Sequence, residues 1–575
     1  MSAYSVRPSK GVYTIPEMVE RTSKEYAGKV ALRVWRDGRY REHRYDQLGE
    51  QVTSLARGFA ASGIRPGDRI GVVGENRPEW ALSYLSILAC GAVVVPLDPS
   101  LKAGELRRIL HDAEVRWVIA SGGFVADLKE VQDELPALER IVSMEAEEDG
   151  LDALMEQGRM SKVDVPRPGL DDLAALIYTS GTTGQAKGVM LTERNIMSDV
   201  SGCYQVIEFG PEDTFLSVLP LHHTFECTAG FLVPLYGGAS ITYARSLKSL
   251  DILEDIKNTQ VTVMLGVPLL FEKMLASVYR GIAKKPLVTR AMFRTTLGTV
   301  RRARKAFGWK WGSTLFHGLR EKAGLDSVRI MISGGAALPP HVGYDFNDLG
   351  LTLIQGYGLT EASPVLTVNP MGRVRMESVG VPIPGAELSI LDPDEEGVGQ
   401  ILARGDMVMQ GYYRNPKATA EALRDGWLYT GDSGRIDGEG YLYITGRLKN
   451  VIVTRAGKNV YPEEVEQALN ESAFILESLV HGVPMADGGG EEVQAVIVPD
   501  YDVFDQYAQK RGIPLKEGEI ETILKQEVAV VCASMADYKR VKRFQIREEE
   551  FPKTSIRKIK RFLFQHQPMA VQEGT

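Results

Sequence analysis

The sequence predicts an α/β protein: a large N-terminal lobe of helix-covered, largely parallel sheets with a small β-rich subdomain, followed by a small α+β C-terminal lobe. Three features predict it. Short apolar runs recur between helical stretches through the first two thirds of the chain, apolar and polar residues alternate after about residue 380, and a compact α+β segment closes the chain after residue 447. Buried strands that alternate with helices imply parallel sheets covered on both faces.

The apolar runs are Arg69–Gly74, Ala92–Leu97, Val115–Ala120, Val261–Gly266 and Val328–Ser333. Between them, Asp46–Ser62 and Leu247–Asn258 carry helical periodicity. The stretch Trp80–Leu97 is long enough to raise the question of a membrane span. Its period changes midway and it contains Gly91 and Pro96, so it reads as a buried helix followed by a buried strand. Ala386–Arg404 alternates around a DPDEEG turn, as a hairpin does. From residue 448 the order is a VIVT strand, a helix opening at Pro462, a QAVIVP strand and a basic tail. We therefore expect a large domain over 1–447 and a small one over 448–575.

At 575 residues the chain exceeds what one core usually holds. A net charge of −8 excludes a general nucleic-acid binder, whose basic footprint would dominate. The four cysteines, widely spaced and without a CxxC pair, form neither a disulfide framework nor a zinc motif and suit a reducing cytosol. The first residues lack the apolar core of a signal peptide. The expectation is a cytoplasmic protein.

The most informative segment is Tyr178–Val189, YTSGTTGQAKGV. Three glycines and several hydroxyls in one tight loop can donate backbone N–H and O–H groups to phosphoryl oxygens. A Walker A loop needs Gly-Lys-Ser/Thr, and here Ala186 precedes Lys187 and Gly188 follows it. Downstream come Ser333–Leu338 (SGGAAL), Gln355–Pro364 (QGYGLTEASP), Leu428–Asp432 (LYTGD), Gly446–Lys449 (GRLK) and Pro552–Arg561 (PKTSIRKIKR).

In this order and spacing the segments resemble those of the adenylate-forming superfamily, which unites acyl-CoA synthetases, luciferases and peptide-synthetase adenylation domains. The wording is most similar to bacterial long-chain fatty acyl-CoA synthetases of the AMP-forming type. Two positions depart from the family: Ala186 stands where proline usually precedes the lysine, and Arg557 replaces the usual glycine before Lys558.

The resemblance implies ATP, Mg²⁺ and coenzyme A as the molecules handled. It places the triphosphate on Thr179, Ser180, Gly181, Thr182, Thr183, Gly184 and Lys187, and the adenine among Gly334, Gly335, Ala336, Gln355, Gly356, Tyr357 and Gly358. Thr360 would contact the α-phosphate, Glu361 would hold the metal, and Asp432 and Arg447 would hold the ribose. Lys558 would be the catalytic lysine of the first half-reaction, alongside Lys187. Lys449 would be the hinge about which a mobile small lobe turns, and Gly457 in Thr454–Pro462 would let the pantetheine arm pass. His223 in Pro220–Glu226 (PLHHTFE), with Gly335, would face the acid, and Gly266–Phe271 (GVPLLF) would line the same pocket.

The implied reaction activates a long-chain fatty acid as its acyl-adenylate, releases pyrophosphate and passes the acyl group to coenzyme A. Aryl- or medium-chain acids, an acyl-carrier-protein acceptor and a catalytically silent acid-binding protein stay open as alternatives. The absence of an insertion between Arg447 and Pro462 favours coenzyme A. Arg280–Lys322 holds twelve Lys or Arg and one acid, Glu321, with Phe307, Trp309, Trp311 and Phe316 interleaved. It reads either as a patch for peripheral contact with the inner membrane face or as a solvated helical hairpin. A homodimer is a further expected partner arrangement.

Overall fold

The computed structural model describes residues 6–145, 149–180, 186–308, 311–485, 489–515, 518–554 and 559–564. Gly181, Thr182, Thr183, Gly184, Trp309, Arg557 and Lys558 lie outside the described residues, as does the side chain of Ser180. The chain divides into two compact units. One comprises Met1–Leu388, Ala403–Tyr429 and Gly438–Tyr441; the other comprises Ser389–Leu402, Thr430–Asp437 and Leu442–Thr575.

Among the described residues of the first unit are two large mixed sheets. In the seven-stranded sheet, Arg140–Ser143, Trp117–Ala120, Arg69–Val73, Val93–Leu97 and Leu173–Ser180 run parallel in that spatial order. Ala186–Thr192 and Gly411–Tyr412 complete one edge antiparallel. The apolar runs of the sequence form these strands because both faces are covered. Ile70, Val72, Val94 and Ile119 enter one core, while Val73, Val93, Val95 and Val118 enter another on the opposite face. Side chains alternate with period two, so a strand buried on both sides must be apolar throughout.

The nine-stranded sheet has six parallel strands at its centre: Val30–Arg36, Ser240–Tyr243, Thr214–Ser217, Val263–Gly266, Ile330–Ser333 and Thr352–Gly358. Arg39–Arg44 closes one edge antiparallel, and Val365–Val368 with Val381–Pro382 closes the other. Trp80–Leu97 is the helix Pro78–Ala89 followed by the strand Val93–Leu97, as its change of period predicts. No helix among the described residues is long and apolar enough to cross a membrane.

The second unit is built on Ile475–Pro484, antiparallel to Glu491–Pro499, with Arg543–Ile546 parallel to the latter. The helices Pro462–Leu469, Tyr501–Arg511 and Glu519–Ala533 contribute Val465, Leu469, Phe504, Leu524 and Val528 to its core. The region expected to be a basic tail after the QAVIVP strand thus holds two helices and a strand before the basic segment begins.

Candidate active site

The glycine-rich motif sits on a hairpin in the first unit. Leu173–Ser180 pairs with Ala186–Thr192, with Tyr178 opposite Gly188, Thr179 opposite Lys187 and Ser180 opposite Ala186. Thr192 then caps the helix Glu193–Val206. Its hydroxyl accepts from Asn195 N at 3.1 Å, and its own N–H donates to Asn195 Oδ1 at 2.9 Å. The Asn195 amide is used a second time, donating to the carbonyls of Asp406 at 2.7 Å and Val408 at 2.8 Å. This ties the segment leading to Gly411–Tyr412 against the hairpin, where Tyr412 pairs with Val189.

Tyr412 is a residue that the sequence did not single out. Its hydroxyl donates to Glu361 Oε1 at 2.7 Å, and Lys187 Nζ lies 4.8 Å from its ring centroid. A cation over an aromatic face is attracted by the ring quadrupole. The phosphate-loop lysine and the expected metal-binding carboxylate are thus gathered on one phenol. Glu361 is also held by its backbone, whose carbonyl accepts from Met409 N at 2.9 Å.

Thr360 and Glu361 occupy a short 3-10 turn, Thr360–Ala362. The strand before it makes a tight approach: a Cβ on Gly358 would lie 1.8 Å from the Pro364 carbonyl oxygen, so only glycine fits. Thr224 Oγ1 is 3.5 Å from Thr360 Oγ1, which brings the PLHHTFE segment beside the expected α-phosphate contact. Phe225 of that segment lies against Gly334, where a Cβ would meet its ring at 2.8 Å. Gly334 N donates to Gly266 O at 3.1 Å, so Gly266 and the SGGAAL segment also adjoin. Phe271, at the end of GVPLLF, is fully buried in the core. Gly335 and Ala336 are exposed and Tyr357 is half-buried. The Gln355 side chain is buried, its amide donating to the carbonyls of Met376 at 2.6 Å and Ser378 at 3.1 Å. Gly356 adjoins Tyr357 in the strand Thr352–Gly358.

Burial also reshapes the acids around this segment. Glu226 is fully buried at the start of a π-helix, Glu226–Leu232, and Ser217 Oγ donates to its Oε1 at 2.5 Å. Burial pushes its carboxyl up to about 8. Asp199, equally buried, accepts from Val365 N at 3.3 Å, and burial raises its carboxyl well above the usual range. π-helical turns occur often at functional sites.

Asp432 and Arg447 of the second unit face each other across the antiparallel strands Trp427–Ile436 and Leu442–Arg447. Arg447 Nε donates to Asp432 Oδ1 at 2.9 Å, which sets a buried carboxylate beside an exposed guanidinium. Lys449 is exposed in the turn Leu448–Asn450, and Gly457 lies at positive φ in the exposed turn between Ile452–Val453 and Asn459–Val460. Both flanks of the segment carrying Lys558 are anchored: Lys553 Nζ pairs with Glu477 at 2.8 Å and Glu550 at 2.7 Å, and Arg561 pairs with Glu466.

The Glu361 carboxylate, with the hydroxyls of Thr360 and Thr224 nearby, offers hard oxygen donors, the set that magnesium prefers. These residues fit the metal that the resemblance implies.

Sheet order, a glycine-rich hairpin and a lysine and a carboxylate gathered on one tyrosine define a nucleotide-handling enzyme of the adenylate-forming type. The sequence profile of the AMP-binding enzyme family matches residues 19–413, and the chain belongs to that family. It is 31% identical over 498 residues to a long-chain-fatty-acid–CoA ligase of Mycobacterium bovis, covering 83% of this chain and 80% of the relative. It is 32% identical over 462 residues to a feruloyl-CoA synthase of Amycolatopsis, covering 79% of this chain and 83% of the relative. The ATP-bound crystal structure of MatB from Rhodopseudomonas palustris superposes with a TM-score of 0.76 at 26% identity, covering 96% of this chain and 98% of that one.

Proposed function

We propose that this adenylate-forming acyl-CoA ligase acts on long-chain fatty acids, using ATP with Mg²⁺ and then coenzyme A. The observation that carries the ligase chemistry is the convergence on Tyr412 of Lys187 and of Glu361, the residue next to Thr360. The PLHHTFE wording and the long-chain relatives support the choice of acid; the feruloyl-CoA synthase relative keeps an aryl acid as the second reading.

In the first half-reaction an oxygen of the acid carboxylate attacks the α-phosphorus, and the bond to the β-phosphate oxygen breaks to release pyrophosphate. Charge accumulates on phosphoryl oxygens, so fixed cations and donors carry the catalysis. Lys187 and the backbone of residues 179–184 hold the phosphates, Thr360 donates to the α-phosphate, and Lys558 supplies a second cation. Glu361 would hold Mg²⁺, which when bound would supply positive charge to the triphosphate. A unit charge pair ~4 Å apart at an effective dielectric of ~20 interacts by ~4 kcal/mol, on the order of 10²–10³ in rate. In the second half-reaction the thiol sulfur attacks the acyl carbon and AMP leaves. A large domain over 1–447 would bind nucleotide and acid, and the part after Lys449 would present Gly457 to the pantetheine.

A reading of peripheral membrane contact through Arg280–Lys322 also belongs here, in a narrower form than the sequence suggested. Arg301 pairs with Asp345 and Asp348, Arg304 pairs with Asp348, and Arg320 donates to the Gly312 and Leu349 carbonyls, so these three serve the fold. Lys284, Lys285 and Arg294 are exposed beside exposed Leu287, Val288 and Met292, and this end of the helix Leu287–Phe307 would meet anionic lipid.

The deciding experiment measures pyrophosphate release with a panel of fatty and aromatic acids, then thioester formation with and without coenzyme A. Turnover fastest with long-chain acids and dependent on coenzyme A is expected. Preference for a hydroxycinnamic acid would move the assignment to the second reading.

A further inference from the structure

Asp98, His222 and His223 bring three donor atoms within 4.8 Å of one another. We propose that these side chains form a binding site for one divalent transition-metal cation of the zinc type, and that a cation held there blocks activation of the acid. The blocking role rests on the placement of His223 beside the acid; the site itself does not.

Two imidazoles and one carboxylate suit a borderline-soft cation, whereas magnesium prefers an all-oxygen shell. The two sites therefore sort their metals by donor type. Asp98 follows directly on the buried strand Val93–Leu97, and its carboxylate is already oriented. Oδ1 accepts from Ser100 N at 2.8 Å and from Ser100 Oγ at 2.7 Å, the kind of outer support that aims a metal ligand. Oδ2 lies 3.6 Å from His222 Nε2, too long for a hydrogen bond. It is close to the ~3.4 Å that separates two ligands about one tetrahedral cation with bonds of ~2.0–2.1 Å.

His222 is only 7% exposed, and its Nε2 is buried without a hydrogen-bond partner among the described residues. Buried polar atoms nearly always have a partner. A metal bond supplies one here. The rings of His222 and His223 lie 4.3 Å apart with their planes tilted by 40°, so both can turn a nitrogen toward one point. The loop that carries them is held in advance. Asn76 Nδ2 donates to Leu219 O at 2.6 Å and Ser217 Oγ at 2.9 Å, and Asn76 Oδ1 accepts from Leu221 N at 3.0 Å. The next residue, Thr224, touches Thr360, which puts the cation at the entrance to the reacting carboxylate rather than on a remote surface.

The test uses the metal-free full chain in excess Mg²⁺, titrated with Zn²⁺ by calorimetry and with Co²⁺ by visible absorption. One equivalent should bind, with Co²⁺ bands typical of nitrogen ligation. Asp98→Asn and His222→Gln should each weaken binding more than the roughly 10–100-fold lost with an outer-shell partner. His317→Ala, which removes an exposed histidine, should change nothing. Asp98→Asn is close to isosteric and guards against a folding defect, checked by an unaltered thermal transition. Zn²⁺ should also inhibit pyrophosphate release by the wild type, and Asp98→Asn should need at least about 100-fold more of it. Unchanged Zn²⁺ affinity in both folded variants overturns the site, whatever the acid panel shows. Binding that the variants lose, with no inhibition in the wild type, overturns the blocking role and the placement of His223 beside the acid.

Discussion

Replacing Glu226 by glutamine should make the protein less stable in mild acid and more stable above neutrality. The carboxyl is fully buried, Ser217 Oγ donates to Oε1, and Oε2 has no hydrogen-bond partner among the described residues. Burial raises the carboxyl from an ordinary 4.5 to about 8 in the folded state. The folded protein therefore keeps a proton that the unfolded chain loses as pH rises above 4.5. Stability is intact below that value and falls through the window from about 4.5 to 8. The span is about 3.5 units, and at ~1.36 kcal/mol per unit the full effect approaches ~5 kcal/mol. Glutamine stays neutral throughout and abolishes the slope. Its NH₂ would stand where Oε2 has no partner, at a cost of about 1–3 kcal/mol. The variant should thus be less stable by up to about 2 kcal/mol at pH 5 and more stable by about 1–3 kcal/mol at pH 8. Urea unfolding of both proteins at pH 5, 6, 7 and 8, followed by tryptophan fluorescence, measures the difference directly. A difference that does not change with pH would show that Glu226 is ionised in the fold and refute the reasoning.

Tyr412→Phe keeps the ring under Lys187 but removes the donor to Glu361, and should shift the Mg²⁺ concentration for half-maximal adenylation about tenfold, consistent with ~1.5 kcal/mol for a hydrogen bond to a charged group. No shift would separate Glu361 from metal binding. Lys558→Ala should lower acyl-adenylate formation by about 10²–10³ while sparing thioester formation from supplied acyl-adenylate; equal losses in both half-reactions would count against its assignment. Lys449→Pro, which fixes φ near −65°, should spare adenylation and slow thioester formation, and unchanged turnover would mean that Lys449 is no pivot. Reversing Lys284, Lys285 and Arg294 to Glu should weaken co-sedimentation with anionic vesicles at low salt and leave activity on detergent-solubilised acid intact. Retention by neutral vesicles would refute a charge-driven contact.

The parallel strands were legible because burial on both faces leaves nothing but apolar side chains to write, as in Val93–Leu97. The motifs were legible because a phosphate or a metal restricts residue type at short spacing. Tyr412 was not legible. It lies on a strand of two residues, Gly411–Tyr412, and meets Glu361 from 51 positions away, a distance over which no local pattern operates. The nearness of Asp98 to His222, on which the metal site proposed above rests, escaped for the same reason, since only the fold joins the end of one strand to a loop after another. The helix Tyr501–Arg511 was hidden by polarity, since Phe504 is its one buried residue, whereas Glu519–Ala533 is apolar over much of its length and buries Leu524, Val528 and Cys532. The second unit takes in Ser389–Leu402 and Thr430–Asp437, and such interleaving of distant segments leaves no mark on composition.

The pairing of Gly411–Tyr412 with Ala186–Thr192 has a consequence for dissecting the protein into pieces. An N-terminal fragment ending anywhere before residue 410 would uncover the carbonyls of Met190 and Gly188, which accept from Gln410 N at 3.0 Å and Tyr413 N at 2.8 Å. An uncovered strand edge is a template for joining other chains. Such a fragment should self-associate, whereas one extended through Tyr413 carries its own edge cover. The place to cut is therefore set by main-chain pairing at the rim of a sheet, not by where sequence motifs thin out.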